Sequence, residues 1–361
     1  MHKVLVIGAG KIGSLITFLL ANSNDYFVYL ADIQETNPFA HRFENVTNFK
    51  YIQLDANDEQ GFAEFIKENP VEAVISSLPF YCNVPIAKAA AKHGLHYFDL
   101  TEDVETTANV LEVAEGASTA FVPQCGLAPG FISIVANDLM KNFPTLDTVK
   151  MRVGALPTNI SNALQYSLTW STDGVINEYG NPCNAVEDGK EVSLTPLEGL
   201  EQIKIDGLTY EAFNTSGGIG SLAQTYAGKV KNLSYKTIRY PGHCEKAVFL
   251  MNDLKLNTDR ETLKYILERA IPKTYQDVVL VYVSVTGIQR NKFIEENYVK
   301  KFYPMVINGI RWSAIQLTTA CGICSVVDIV LNEKDKYKGF VKQEQFSLND
   351  LTKSQFGEYY A

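Results

Sequence analysis

Lys3-Val-Leu-Val-Ile-Gly-Ala-Gly-Lys-Ile-Gly-Ser14 is the stretch on which the fold turns. An apolar run from Val4 to Ile7 breaks into glycines at 8, 10 and 13. Ile12, Leu15, Ile16, Phe18, Leu19 and Leu20 then recur with helical spacing. The pattern predicts a buried strand, a tight turn and a helix, the βα start of a dinucleotide-binding fold. The three glycines serve different physical ends. Gly8 allows the turn, Gly10 lets the backbone approach a pyrophosphate, and Gly13 lets helix and strand pack closely. The free N–H groups where the helix begins, at Lys11, Ile12 and Gly13, would receive that pyrophosphate.

Working outward, strand and helix alternate. Strands are expected at Phe27–Ala31 ending in Asp32, at Tyr51–Leu54 ending in Asp55, and at Ala73–Ser77, His96–Leu100 and Thr119–Pro123. Helical segments are expected at His41–Asn45, 58–68, 84–93 and 104–116. Repeated βα units of this length imply a parallel sheet with helices on both faces. Asp32 ends strand two, and a carboxylate there accepts the hydroxyl protons of an adenosine ribose. No Arg follows in Ile33-Gln34-Glu35-Thr36 to receive a 2′-phosphate, which favours NAD over NADP. Asp55, at the end of strand three, is a further cofactor candidate.

After residue 125 the pattern changes. Segment 131–143 reads as a helix, and Leu164–Ser171 as a strand with Leu164, Tyr166, Leu168 and Trp170 on one face. Asp188-Gly189 signals a hairpin within Val186–Val192, and 278–288 with 293–303 reads as a second strand pair around Gln289-Arg290-Asn291. Residues 311–331 read as a long apolar helix. The expected fold class is α/β: a Rossmann parallel sheet with a second α+β domain on a mostly antiparallel sheet. The dinucleotide domain is expected to be discontinuous, 1–125 plus 311–361, around a substrate-binding and oligomerisation domain, 126–310. One face of the second sheet is a candidate to pair with a second subunit. Residues 332–361, rich in Lys, Glu and Tyr, carry no usable pattern.

The chain has 361 residues, 46% hydrophobic and 20% charged, enough for about two domains with sizeable cores. Its net charge of −9 argues against nucleic acid or an anionic membrane as partner. No signal peptide is expected, since the first residues form strand one without a basic segment before it, and the expected location is cytoplasmic. The six cysteines are scattered, as expected of reduced thiols. Cys321-Gly-Ile-Cys324 lies within the apolar helical stretch without a second Cys or His pair nearby. It reads as helix packing, and no metal site is expected.

Ligands of such sheets bind beyond the carboxyl ends of the strands. Three loops converge there. Ser77-Leu78-Pro79, followed by Tyr81, either lies along the nicotinamide ribose or is a plain strand stop. Asp99-Leu-Thr101-Glu102-Asp103 places three carboxylates where they attract a cationic amine, with Asp99 or Glu102 facing the cleft; one of the acids serves simply to start the next helix. Gln124–Gly130 brings Cys125 and Gly126 to the nicotinamide, Cys125 as a small packing residue rather than a nucleophile. In the second domain, Gly217 and Gly218 of Thr215–Ser221 either offer backbone N–H groups to a carboxylate or form a flexible turn. Arg239 is a two-pronged carboxylate clamp, and His243, titrating near neutrality, a candidate proton shuttle.

Taken in order, GAGKIG, SSLPFY, FDLTED, CGLAPG, YSLTWSTDGVINEYGNPC, TSGG and KTIRYPGH resemble the saccharopine dehydrogenase (reductase) family, in particular its lysine 6-dehydrogenase branch. The resemblance runs from residue 1 to about 330. It implies an NAD-binding Rossmann domain, a substrate domain whose sheet serves dimer formation, and a C-terminal part that returns to the Rossmann domain. Saccharopine-reducing members tend to carry Asp where this chain has Ala128. The implied activity is oxidation of the L-lysine ε-amine to allysine with hydride transfer to NAD, in lysine metabolism. The ε-amine must first lose a proton, for which His243, Asp99 and Glu102 are the candidate bases. The α-carboxylate would meet Arg239 or the Gly217-Gly218 backbone, with Tyr81, Tyr240 and Thr101 as secondary contacts. The alternatives are saccharopine or another imine-reducing or aminating chemistry in the same family, and an NAD-binding protein without catalysis. The expected assembly is a homodimer or higher homo-oligomer.

Overall fold

Strand β1 (His2–Ile7) is buried from Val4 onward, and helix α1 (Lys11–Asn22) follows it after Gly8-Ala9-Gly10. The computed structural model describes residues 1–360. They form two compact units: Met1–Leu127 together with the chain from Gln316 onward, and Ala128–Ile315.

In the first unit β2 (Tyr26–Asp32), β3 (Phe49–Gln53), β4 (Ala73–Ser76), β5 (His96–Phe98) and β6 (Ala120–Val122) join β1. Helices α2 (Glu59–Glu68), α3 (Asn83–His93) and α4 (Val104–Val113) connect them. All seven strands are parallel, in the order Gly339–Phe340, β6, β5, β4, β1, β2, β3. This is a Rossmann-like sheet, and its direction of growth reverses between β1 and β4, where such sheets bind ligands. Local chemistry explains the helix starts. Asp58 accepts from the amides of Gln60 and Gly61, and Asp103 from Thr106 at 2.7 Å, so Asp103 is the acid that opens a helix. The segment 41–45 yields only a single 3₁₀ turn, Ala40–Arg42. Helix α4 ends at Val113 rather than 116, short of Gly116 at φ +73°.

The helix Ala314–Asn332 is long and apolar enough to cross a membrane, with mean hydropathy 1.8, yet 83% of that window is buried within the protein. It begins three residues later than its apolar pattern suggests. Arg311 and Trp312 belong to a hairpin strand, and Asp277 caps the helix by accepting from the amides of Ala314 and Ile315 at 2.7 and 3.0 Å. The patternless C-terminal stretch supplies the seventh strand and buries Phe346, Leu351, Phe356 and Tyr360.

The second unit opens with α5 (Phe131–Met140) and the long strand β7 (Thr145–Pro157). Then come α6 (Thr172–Gly180), β8 (Cys183–Glu187), β9 (Lys190–Leu194), β10 (Glu201–Ile205), β11 (Leu208–Asn214), α7 (Leu222–Tyr226) and β12 (Asn232–Arg239). Helices α8 (His243–Val248) and α9 (Arg260–Ala270) precede β13 (Asp277–Gln289) and β14 (Lys292–Phe302). The sheet runs β10-β11-β12-β7-β13-β14, with the β8–β9 hairpin attached to β12. Only β12 and β7 pair in parallel. The two hairpin turns expected from the sequence carry positive φ at both central residues, Asp188-Gly189 and Arg290-Asn291, the primed geometry that matches strand twist; Asp206-Gly207 and Asn308-Gly309 turn two further hairpins in the same way.

Residues 164–171 do not form a strand. The segment is held from outside a ladder: Asn162 Nδ2 donates to Tyr166 O at 2.7 Å and Leu168 N to Pro272 O at 3.0 Å. The alternation nevertheless reports burial. Tyr166 and Leu168 enter the core of this unit, with Leu164 and Trp170 packed against it.

Candidate active site

In the first unit the glycines divide by what surrounds them. Gly8 has φ +105°, and a Cβ there would stand 2.9 Å from Ser77 O. A Cβ on Gly13 would overlap Gly8 O. Both are required by the chain itself. Gly10 has ordinary extended backbone and nothing within 4 Å of a Cβ, so its bareness serves no internal packing. Helix α1, starting at Lys11-Ile12, has no side-chain cap and no acid in its first turn, leaving its positive end uncompensated. Asp32 ends β2 and accepts from Ala9 N at 2.7 Å and Gln34 N at 3.1 Å. Tyr51 and Gln53 pin the following loop through the carbonyls of Gln34 and Ile33. Ser77 N donates to Ile7 O, and Leu78 and Pro79 continue from β4 beside the glycine turn. Asp55 turns back on its own loop, accepting from Asn57 N at 2.9 Å. These residues fit a dinucleotide: room at Gly10, an unneutralised helix start and a carboxylate at the end of β2.

Of the two acids expected to face the cleft, Asp99 does not. Asp99 is fully buried and accepts from Tyr97 Oη at 2.7 Å, Thr101 N at 2.9 Å and Gln124 N at 3.1 Å. It ties the loop after β5 to the loop after β6 instead of facing a cleft. Burial raises its carboxyl to about 6, against those three donors. Thr101 is also buried, its hydroxyl accepting from Asp103 N. Glu102 is the half-buried acid of the group. Tyr81 is exposed. Cys125 is buried, its thiol donating to Val122 O while Gln343 Nε2 donates to its sulfur; burial pushes its pKa up, so it remains a thiol, as a packing residue should. Gly126 and Cys125 present their carbonyls to Gly322, where a Cβ would meet both at 2.9 Å. The informative residue of the Cys321–Cys324 motif is therefore its glycine.

In the second unit Arg239 ends β12 and is almost wholly buried. Its Nε donates to Tyr179 Oη at 2.9 Å and Nη1 to Ile238 O at 2.9 Å, and its Cζ lies 5.0 Å from the Tyr166 ring centre. Nη2 carries no hydrogen bond among the described residues. Burial disfavours its charge, but Tyr179, Tyr166 and Glu178 outweigh that and hold it above the usual arginine value. His243 begins α8, with Nδ1 2.8 Å from Leu164 O and Nε2 2.9 Å from Tyr179 Oη. Its ring stacks on Phe213. Burial first, and Arg239 second, lower its pKa to about 3, so it does not titrate near neutrality and both nitrogens are engaged. The turn between Arg239 and His243 is fastened by Glu211, directly opposite Arg239 on β11, which accepts from Gly242 N and Cys244 N at 2.8 and 2.6 Å.

Tyr240 donates its hydroxyl to Pro157 O at 2.9 Å. Gly218 lies against the Tyr235 ring, where a Cβ would clash, and its amide bonds to Ser216 O. Gly217 turns at φ +83° and its carbonyl accepts from Gly220 N. Two of this loop's amides thus close the loop itself. Tyr166 and Tyr179 lie in the YSLTWSTDGVINEYGNPC block, but no role is read from the sequence for them or for Glu211. Tyr179 follows Val175 and Ile176 at helical spacing and reads there as an ordinary core residue.

Comparison with known proteins agrees across the chain. Residues 4–121 match the saccharopine dehydrogenase NADP binding domain, and residues 126–358 the saccharopine dehydrogenase C-terminal domain. A saccharopine dehydrogenase (NADP(+), L-glutamate-forming) of Schizosaccharomyces pombe is 22% identical over 333 residues, 86% of this chain and 72% of that protein. The mitochondrial alpha-aminoadipic semialdehyde synthase of Mus musculus is 23% identical over 307 residues, 81% of this chain but 32% of the mouse protein. The fold is shared with apo saccharopine dehydrogenase (L-Glu forming) from Saccharomyces cerevisiae, at TM-score 0.78 and 16% identity over 100% of this chain and 98% of that one. The chain belongs to the saccharopine dehydrogenase family of NAD(P)-dependent oxidoreductases.

Proposed function

We propose that this chain is an NAD-dependent amino-acid dehydrogenase that oxidises the ε-amine of L-lysine, releasing allysine and ammonia. The observation that carries the reading is Arg239: a buried guanidinium, held at Nε and Nη1 and unpaired at Nη2, is built to receive a carboxylate. Gly8, Gly10, Lys11, Ile12, Gly13, Ser77, Leu78 and Pro79 would hold the dinucleotide, and Asp32 would bind its adenosine ribose. The dinucleotide supplies the hydride acceptor. The carboxylate of Asp32 repels a 2′-phosphate, which supports NAD over NADP.

An ammonium nitrogen has no lone pair to form an imine, so a base must take its proton before hydride leaves the adjacent carbon. With His243 engaged at both nitrogens and Asp99 enclosed by three donors, Glu102 is the best placed of the three candidates, being the one still partly open to solvent. Water then attacks the imine carbon and ammonia departs.

Saccharopine is the second reading, favoured by the names of the relatives; Ala128, where the resemblance gives saccharopine-reducing members an Asp, supports lysine instead. A screen of L-lysine and saccharopine with NAD and NADP, followed by reduced-nicotinamide absorbance, tests the proposal. Turnover of L-lysine with NAD is the expected result; no turnover with either substrate overturns it in favour of a non-catalytic NAD-binding protein. A homodimer is part of the proposal, supported by the outer strand β14 with Phe293 and Val299 exposed. Sedimentation velocity checks it.

A further inference from the structure

We infer that Tyr179 is the positioning residue that aims Arg239, and that His243 sets the direction of the hydrogen bond by which it does so. The inference rests on Arg239 receiving the substrate carboxylate, as proposed above.

Each bond direction is forced by the one before it. Leu164 O is a carbonyl and only accepts, so the His243 Nδ1 at 2.8 Å carries the proton. A neutral imidazole has one N–H, so Nε2 offers a lone pair and Tyr179 donates to it at 2.9 Å. The phenolic proton is thereby committed, and the Tyr179 oxygen is left to accept from Arg239 Nε at 2.9 Å. The relay runs Arg239 to Tyr179 to His243 to Leu164 O, starting at a guanidinium and ending on a fixed backbone carbonyl. His243 stays neutral because it is buried close to Arg239.

The acceptor is also chosen for its charge. A carboxylate at position 179 would hold the guanidinium equally well but would neutralise it. A phenol fixes Nε without adding a second carboxylate to Glu178, whose charge already acts on Arg239. One Nη1 proton goes to Ile238 O and the Tyr166 ring lies 5.0 Å from Cζ, so the Nη1–Nη2 edge, with Nη2 and the second Nη1 proton, is what is left to a ligand. Tyr166, Tyr179 and His243 also line a cavity of about 30 Å³ whose remaining wall is apolar, including Ile176, Met251 and Leu263.

Kinetics of Y179F and R239A on L-lysine and on 1,5-diaminopentane, which is lysine without its carboxylate, test the inference. R239A should raise the lysine KM about a hundredfold and the diamine KM at least tenfold less; if lysine and diamine suffer equally, the carboxylate reading of Arg239 fails. Y179F should raise the lysine KM about tenfold, with kcat, the NAD KM and diamine turnover within twofold of the native enzyme. H243Q, which keeps an acceptor near the Nε2 position, should lose less than H243L. A substrate-free readout follows the Arg239 ¹⁵Nε–H resonance, slow to exchange in the native protein and fast in Y179F. An unchanged lysine KM and unchanged Nε–H exchange in Y179F, alongside a raised KM in R239A, overturn the positioning role. Equal losses on lysine and diamine overturn it too, since they mark general damage to the unit.

Discussion

The amide of Ala9 donates to the carboxylate of Asp32 at 2.7 Å, across 23 residues of sequence. This bond joins the glycine turn after β1 to the end of β2 before any ligand arrives, so one acid shapes the turn and presents an oxygen beyond it. D32A should raise the NAD KM at least tenfold and shift the preference toward NADP. Initial rates with both dinucleotides check this, and an unchanged NAD:NADP ratio removes Asp32 from the ribose role.

Gly10 and Gly13 should respond oppositely to one methyl group. At Gly10 nothing within 4 Å meets the new carbon, so G10A should fold with an unchanged melting temperature and bind NAD at least tenfold more weakly. At Gly13 the carbon overlaps Gly8 O, so G13A should lose stability as well as binding. Calorimetric titration with thermal melting separates the two. NAD binding by G10A at native affinity would show that the pyrophosphate does not pass over this turn.

Gly322 should behave as a contact residue in an otherwise favourable helix. Alanine normally stabilises a helix interior by about 1 kcal/mol relative to glycine. Here the added carbon meets the carbonyls of Cys125 and Gly126 at 2.9 Å, so G322A should destabilise by about 1–3 kcal/mol. C321A and C324A, each removing a free buried thiol, should cost only what a small buried side chain contributes. Urea unfolding checks the sign.

Two buried groups should give stability opposite pH slopes. His243 falls from 6.5 to about 3 on folding, so between those values the unfolded chain binds a proton that the folded chain does not. Its contribution is complete above 6.5 and is lost as pH falls toward 3. Asp99 rises from 3.8 to about 6, so its contribution declines as pH rises through that window. Each slope is at most about 1.4 kcal/mol per pH unit. Relative to the native protein, H243Q should gain stability as pH falls from about 6.5 to 4, and D99N should gain as pH rises over the same range. Denaturant midpoints across that range check both; a pH-independent difference for H243Q would mean that His243 is not buried neutral.

What was legible in the sequence was written in neighbouring residues. The glycine turn, the Asp103 cap and the two hairpin turns need only chemistry that lies within a few positions. The orientation of Asp99 is not legible locally, because it is set by Gln124, 25 residues away, and by the inward-facing Tyr97. Leu164–Trp170 showed real alternation without a strand, because period two reports a buried face and not a ladder partner. His243 reads in sequence as a titrating base because nothing nearby announces Leu164 O and Tyr179, 79 and 64 residues away. The seventh strand, Gly339–Phe340, is two residues long and has no periodicity to detect.

The most direct measurement of the central claim is the stoichiometry of products when the purified chain meets NAD and L-lysine. One ammonia released for each NADH formed, with allysine as the carbon product, is the expected result. NADH formed only with saccharopine, accompanied by glutamate and without ammonia, would contradict it.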